Sequence, residues 1–307
     1  MNVKALIKRA KQEGATEHHG AKAPAEPASE EPLVLPASLR TVSEESLIDG
    51  LQHVHLLEDW LPLEAEAVLL RNLRARSRDF LQLRGKRTAR YGGDPGPPLV
   101  AEPLPPWLSQ LCSQVASTLA TDSDASTAEA LPPNHVLVNH YRPGEGIMPH
   151  TDGPAYEPRA AILSLGSSVV FSFWRDHAHT ASGRPPALSL LLPPRSLLFF
   201  SGEAYSAHLH GIAEQRFDEL HPGLANWTAS ARARWASGLT GLPEAASGTA
   251  SWPQWQLELP PAPAEGTAMG EGEGYAPPAL PASSSLRREE RYSLTIRRVP
   301  PVKESGE

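Results

Sequence analysis

From residue 133 onward the chain is cut into short apolar runs by Gly, Pro and Ser, and that punctuation excludes long helices there. His135–Tyr141 alternates, with Val136 and Val138 on one face and His135, Leu137, Asn139 and Tyr141 on the other. Ala161–Leu165, Val169–Trp174, Leu188–Leu192 and Ser196–Phe200 read as further short strands. Tyr292–Val299 returns to strand, with Tyr292, Leu294 and Ile296 on one face and Arg291, Ser293, Thr295 and Arg297 on the other. Many short strands with no long helix between them predict a mainly β fold with flanking helices. The architecture expected is a sandwich or barrel of the jelly-roll kind, a double-stranded β-helix.

The region before residue 133 follows a different period. Leu61, Ala65, Val68, Leu69 and Leu73 fall near a 3.6-residue spacing, and residues 62–78 are rich in Ala, Leu, Glu and Arg, which predicts a helix. A second helix carrying Trp107, Leu108, Leu111 and Val115 is expected after Pro105-Pro106, because Pro suits a first helical turn. Proline is abundant, 32 of 307 residues. It collects in the N-terminal tail, around 92–106 and 185–194, and in a low-complexity stretch at 241–285. The expected organisation is a disordered or partly helical tail over 1–42, an N-terminal extension with helices over 43–132, and a core over 133–302 interrupted by the 241–285 insert. Trp252 and Trp255 in that insert either dock on the barrel or stay exposed as an interaction motif.

Composition narrows the function classes. One cysteine, Cys112, excludes an intramolecular disulfide framework and any multi-Cys zinc site. No run of 18 apolar residues is present, so no helical membrane span is expected. The first residues place Val3, Leu6, Ile7 and Ala10 on one helical face among Lys4, Lys8, Arg9 and Lys11. A mitochondrial presequence has the same look, but Glu13 and Glu17 follow soon after and fit a solvated N-terminal helix better. The expectation is a monomer of the nucleus and cytoplasm, with the presequence as the open alternative. The formal charge of −7 averages unlike regions. Residues 41–70 hold seven acidic and no basic side chains, whereas Arg71–Tyr91 holds eight basic residues against Asp79. Such a patch suits phosphate contacts, or a solvated helix face for Arg71–Arg78 with partners such as Glu66.

His150-Thr151-Asp152 follows the Pro143–Gly146 turn. On a strand, His and Asp two apart share a face and can ligate one ion. Two His and one carboxylate leave three adjacent positions open, which is the ligand set of non-haem Fe(II) oxygenases. His208 and His210 both offer a third ligand from an alternating segment. Arg291 and Arg297, six residues apart on one strand face with Ser293, suit a carboxylate grip.

Asn139-His140-Tyr141, His150-Thr151-Asp152-Gly153-Pro154, His210-Gly211-Ile212 and the Arg291–Arg297 run occur in the order of the AlkB family, which the chain resembles over about 50–240 and 286–302. It is most similar to the sixth AlkB homologue of animals and plants. The resemblance implies an Fe(II)- and 2-oxoglutarate-dependent dioxygenase consuming O2. His150, Asp152 and His210 match the iron ligands. Asn139, Tyr141, Arg291, Ser293 and Arg297 match co-substrate contacts, although Ser293 stands where the bacterial founding member has Asn. Arg84, Lys86, Arg87 and Tyr91 fall in the stretch that forms the nucleotide-recognition lid in such proteins, with Tyr91 placed to stack on an extruded base. The implied reaction is oxidative N-demethylation of alkylated DNA or RNA, releasing succinate, CO2 and formaldehyde. The same chemistry on a protein or small molecule is the second reading, and an inactive nucleic-acid-binding relative the third.

Overall fold

The computed structural model describes residues 30–36, 39–96, 100–120, 131–228, 257–258 and 284–300. The elements below lie in the unit Glu31–Glu307, and of the other unit, Met1–Glu30, only Glu30 is described. The tail before Glu30, Trp252, Trp255 and most of the 241–285 insert lie outside the described residues.

Two helices, α1 (Leu63–Ala75) and α2 (Pro106–Leu119), form where the sequence predicts them. Strands β1 (Val54–Leu57), β2 (Leu81–Leu83), β3 (Lys86–Tyr91), β4 (Gly93–Asp94) and β5 (Val100–Ala101) intersperse them. Then come β6 (His135–Tyr141), β7 (Ile147–His150), β8 (Arg159–Leu165), β9 (Val169–Trp174), β10 (Leu188–Leu192), β11 (Leu197–Ser201) and β12 (Leu209–Ile212). Strands β13 (Phe217–Leu220), β14 (Leu257–Glu258), β15 (Ser284–Arg287) and β16 (Arg291–Arg297) complete the chain.

One sheet runs β1-β11-β8-β16-β6-β3-β2 and a second runs β10-β9-β12-β7. The larger sheet therefore draws strands from both sides of residue 133, so extension and core share one ladder. Its pairing is antiparallel throughout, and β16 lies between β6 and β8 with Arg291 opposite Tyr141 and Arg297 opposite His135. Side chains alternate across each strand. The face bearing Val136, Val138, Leu163, Leu294 and Ile296 packs against Leu69 and Leu73 of α1 and Leu108 and Leu111 of α2. Burying each such Leu, Ile or Val contributes about 1.5–3 kcal/mol. The opposite face brings Ile162, Leu198 and Phe200 against Phe171, Phe173, Leu190 and Ile212 of the smaller sheet.

The described part of the expected tail is anchored. Leu33 is buried in the helix-side core, and Asn72 of α1 bonds both the N–H and the carbonyl of Glu31. Within the tail expected over 1–42, Glu31 to Pro36 are thus held by one apolar side chain and a paired amide despite the Pro-rich composition. The insert also contains order at two points, since Leu257–Glu258 and Ser284–Arg287 are strands paired with each other. Strand β15 pairs in turn with β13, Leu220 opposite Ser284. Just beyond, Arg288 makes a buried two-pronged bond to Asp218, Nε to Oδ2 at 2.7 Å and Nη2 to Oδ1 at 2.6 Å. No described helix is long and apolar enough to cross a membrane.

Candidate metal centre

The pairing of β7 with β12 sets His150 directly opposite His210. Their ring centroids lie 4.5 Å apart, tilted by 57°. Asp152 follows two residues after β7 ends, and ligand atoms of His150, Asp152 and His210 all lie within 4.8 Å of one another. No other such cluster exists among the described residues. His208 sits just before β12 and its Nδ1 meets the carbonyl of Glu203 at 3.2 Å, so it turns away from this trio.

Each member is prepared for an ion. His150 Nδ1 donates to the carbonyl of Met148 at 2.9 Å, which fixes the tautomer and leaves Nε2 free to ligate. Burial lowers the pKa of both imidazoles; His210, also beside His150, falls to about 3. Both are thus neutral at pH 7, the form that ligates metal. Asp152 Oδ1 accepts from Arg297 Nη1 at 2.6 Å, while Oδ2 is buried with no partner among the described residues. A buried carboxylate oxygen left bare is costly unless something cationic meets it. The donor set and the bare oxygen together fit a divalent metal.

A second set of unpaired groups lies on β6 and β16. Arg291 is 3% exposed, and only its Nη2 finds a partner, Ser164 Oγ at 2.9 Å. Its Nε and Nη1 are buried with none among the described residues, as is Asn139 Oδ1. Burial lowers the Arg291 pKa to about 10, so it remains charged at neutral pH. A crevice lined by Tyr141, Ser168, Ile212, Arg288 and Arg291 opens beside it. The nearby carboxylate of Asp218 is already held by Arg288. A guanidinium with two bare donors and no carboxylate bonded to it fits an anionic ligand such as a dicarboxylate. Ser293 faces Asn139 in register on the same side. Arg297 differs from Arg291, because its guanidinium is engaged with Asp152.

The structure divides the expected substrate residues. Strand β3 places Lys86 and Arg87 on opposite faces. Lys86 is half-buried on the metal side and acts electrostatically on His150 and His210; burial lowers its own pKa to about 8. Arg84 is exposed at the β2–β3 turn, beside Gly85, whose φ of 76° suits glycine. Arg87 packs over Phe80 and donates to the Ser77 carbonyl at 2.9 Å, on the helix side. Tyr91 is 7% exposed and lies edge-on to Trp107 in that same core. Alternation places Arg87 and Tyr91 there, since the odd positions of β3 point away from the metal ligands. The basic patch is also partly neutralised, by Arg71–Glu31, Arg74–Glu290, Arg76–Asp79 and Arg90–Asp94. Among the described residues, Tyr156 was missed. Its ring covers Arg297 at 3.7 Å, and a residue in an aperiodic loop gives no signal of such a contact.

Residues 62–297 match the profile of the 2OG-Fe(II) oxygenase superfamily. The chain is 35% identical over 181 residues to the probable RNA/DNA demethylase ALKBH6 of Danio rerio, covering 56% of this chain and 74% of that one. It is 33% identical over 120 residues to the tRNA (carboxymethyluridine(34)-5-O)-methyltransferase ALKBH8 of Mus musculus, covering 39% of this chain and 16% of that one. A solved structure, that of OsALKBH1, aligns at 15% identity with a TM-score of 0.43, covering 80% of this chain and 98% of that one.

Proposed function

The chain belongs to the 2OG-Fe(II) oxygenase superfamily and is AlkB-like, and from that premise we propose that it removes N-alkyl groups oxidatively from nucleic acid. As a member of the family it is a dioxygenase that uses Fe(II), 2-oxoglutarate and O2. Iron, when bound, would supply the oxidation of an N-methyl group together with 2-oxoglutarate and O2, with succinate, CO2 and formaldehyde as products. The protein contributes geometry and charge. His150, Asp152 and His210 hold the ion. Arg291 anchors the far carboxylate of the co-substrate, with Asn139, Tyr141 and Ser293 alongside. Arg84 and Lys86, neither of them turned to the helix side, meet the nucleic acid.

One observation carries the chemistry: a His-Asp-His trio and a buried guanidinium with bare donors face the interior of the same sandwich. The nucleic-acid substrate is supported by the names of the relatives at 35% and 33% identity. The experiment measures succinate and formaldehyde released with Fe(II), 2-oxoglutarate and methylated oligonucleotides, single- and double-stranded, DNA and RNA. Stimulation by at least one methylated oligonucleotide over its unmethylated control is the expected result. Equal release with and without every oligonucleotide sinks the nucleic-acid reading. A protein or small-molecule substrate is the second reading, favoured by the pairing of four basic residues of the 71–91 patch with carboxylates.

A further inference from the structure

The two oxygens of Asp152 have different fates. Oδ1 takes a 2.6 Å bond from Arg297 Nη1, in a pair whose side chains are 3% and 8% exposed. Oδ2 is buried and bare among the described residues. Oδ2 is therefore the less encumbered oxygen facing the trio, and which oxygen is left unbonded depends on where the guanidinium is held.

That guanidinium is held from the loop that carries Asp152 itself. Tyr156, four residues on, lays its ring 3.7 Å from Arg297 Cζ. The next residue, Glu157, donates its N–H to the carbonyl of Arg298 at 2.9 Å and pairs its carboxylate with the Arg298 side chain at 3.1 Å. His135, across from Arg297 in the β6–β16 register, lies 5.2 Å from the Tyr156 ring. A planar guanidinium stacked on an aromatic face keeps its charge and its fork while losing rotation about its long stem. Residues that orient a ligand in this way change metal affinity by about 10- to 100-fold.

We propose that Tyr156 is a positioning residue for the metal centre: by stacking on Arg297 it locks the guanidinium on Oδ1 of Asp152, so that Oδ2 is the oxygen presented to the ion. The proposal rests on His150, Asp152 and His210 being the metal ligands. It gives Arg297 a different task from Arg291, orienting a ligand instead of gripping the co-substrate.

The test is titration of the full-length apoprotein with Co(II) in the absence of 2-oxoglutarate, followed by visible absorption. Asp152→Ala, Tyr156→Ala, Tyr156→Leu, Tyr156→Phe and Arg291→Met are compared with wild type after each is shown to melt cooperatively. Tyr156→Ala and Tyr156→Leu should weaken Co(II) binding by about tenfold or more and shift its absorption band. Tyr156→Phe, which keeps the ring, should restore wild-type affinity. Arg291→Met should leave Co(II) affinity unchanged. If Asp152→Ala loses Co(II) while both ring-deleting variants bind it like wild type, the role of Tyr156 is overturned. If Asp152→Ala itself binds Co(II) like wild type, the ligand assignment fails, and the proposal with it.

Discussion

On its helix-covered side the seven-stranded sheet shows Val136, Val138, Leu163, Leu294 and Ile296; on the other side neighbouring residues of three of those strands show Asn139, Ser164, Arg291, Ser293 and Arg297. Both sides are buried. The first is filled by two helices and leaves nothing for a ligand to do. The second holds polar atoms that are bare among the described residues, on Asn139, Arg291 and Arg297. A buried donor without an acceptor costs stability. The apolar side of the same strands offsets that cost, so one ladder carries the fold on one face and the chemistry on the other.

Substitutions should separate the two faces, and one that moves stability and chemistry together would show that they are not independent. His150→Ala should reduce succinate release to background with the urea midpoint unchanged, since that ring is part-exposed and lies outside the helix-side core. Leu294→Ala, fully buried against the helices, should lose about 2–5 kcal/mol in urea denaturation. Its affinity for 2-oxoglutarate, measured well below the midpoint, should stay at the wild-type value. Arg291→Met should show the opposite pattern. Co-substrate binding by calorimetry should weaken by about 1.5–3 kcal/mol, the worth of charged hydrogen bonds. Stability should hold or rise, because a buried charge without a bonded carboxylate is removed.

A further effect, modest per pH unit, concerns His135. His135 is 1% exposed, and burial, with Arg297 next, lowers its pKa to about 3. Between the unfolded value of 6.5 and about 3, the unfolded chain takes up a proton that the folded chain refuses. Stability of the apoprotein should therefore be full above 6.5 and decline as pH falls, by about 1.4 kcal/mol per pH unit for this one imidazole. Denaturation curves at several pH values should show a flatter slope in His135→Leu; an identical slope would mean that His135 titrates normally. The smallest expected change is at the rim. Arg84→Ala should weaken oligonucleotide binding about equally across sequences and lower the salt slope by about 1. A change confined to one sequence would instead make Arg84 a base reader.

Much of this division can be read from alternation alone. Strand β6 has the bounds His135–Tyr141 and the two faces that its pattern predicts, and β9 and β10 match their apolar runs. His150, Asp152 and His210 come together because one antiparallel pairing is enough to do it. Strand β1 escaped notice because Val54–Leu57 is four residues long inside a region whose stronger signal is helical. Strand β3 escaped for a different reason. Lys86-Arg87-Thr88-Ala89-Arg90-Tyr91 looks like a block of charge, which hides its period of two; read as a strand, its odd positions would have sent Arg87 and Tyr91 away from the ligands. Tyr156 and the carbonyl of Met148 lie beyond any such reading, since each acts through a contact that depends on where a loop or a backbone oxygen falls in space.

Strand β13 ends at Leu220 and β15 begins at Ser284, and those two residues are partners in one ladder. The buried Arg288–Asp218 pair sits at the same port, three residues before Arg291. These two strand ends are thus clasped together by contacts of their own. Joining two clasped points through a chain segment has an entropic cost that grows only with the logarithm of its length. A longer or shorter connection therefore adds little closure entropy, while the clasp holds the strand that delivers Arg291 in register.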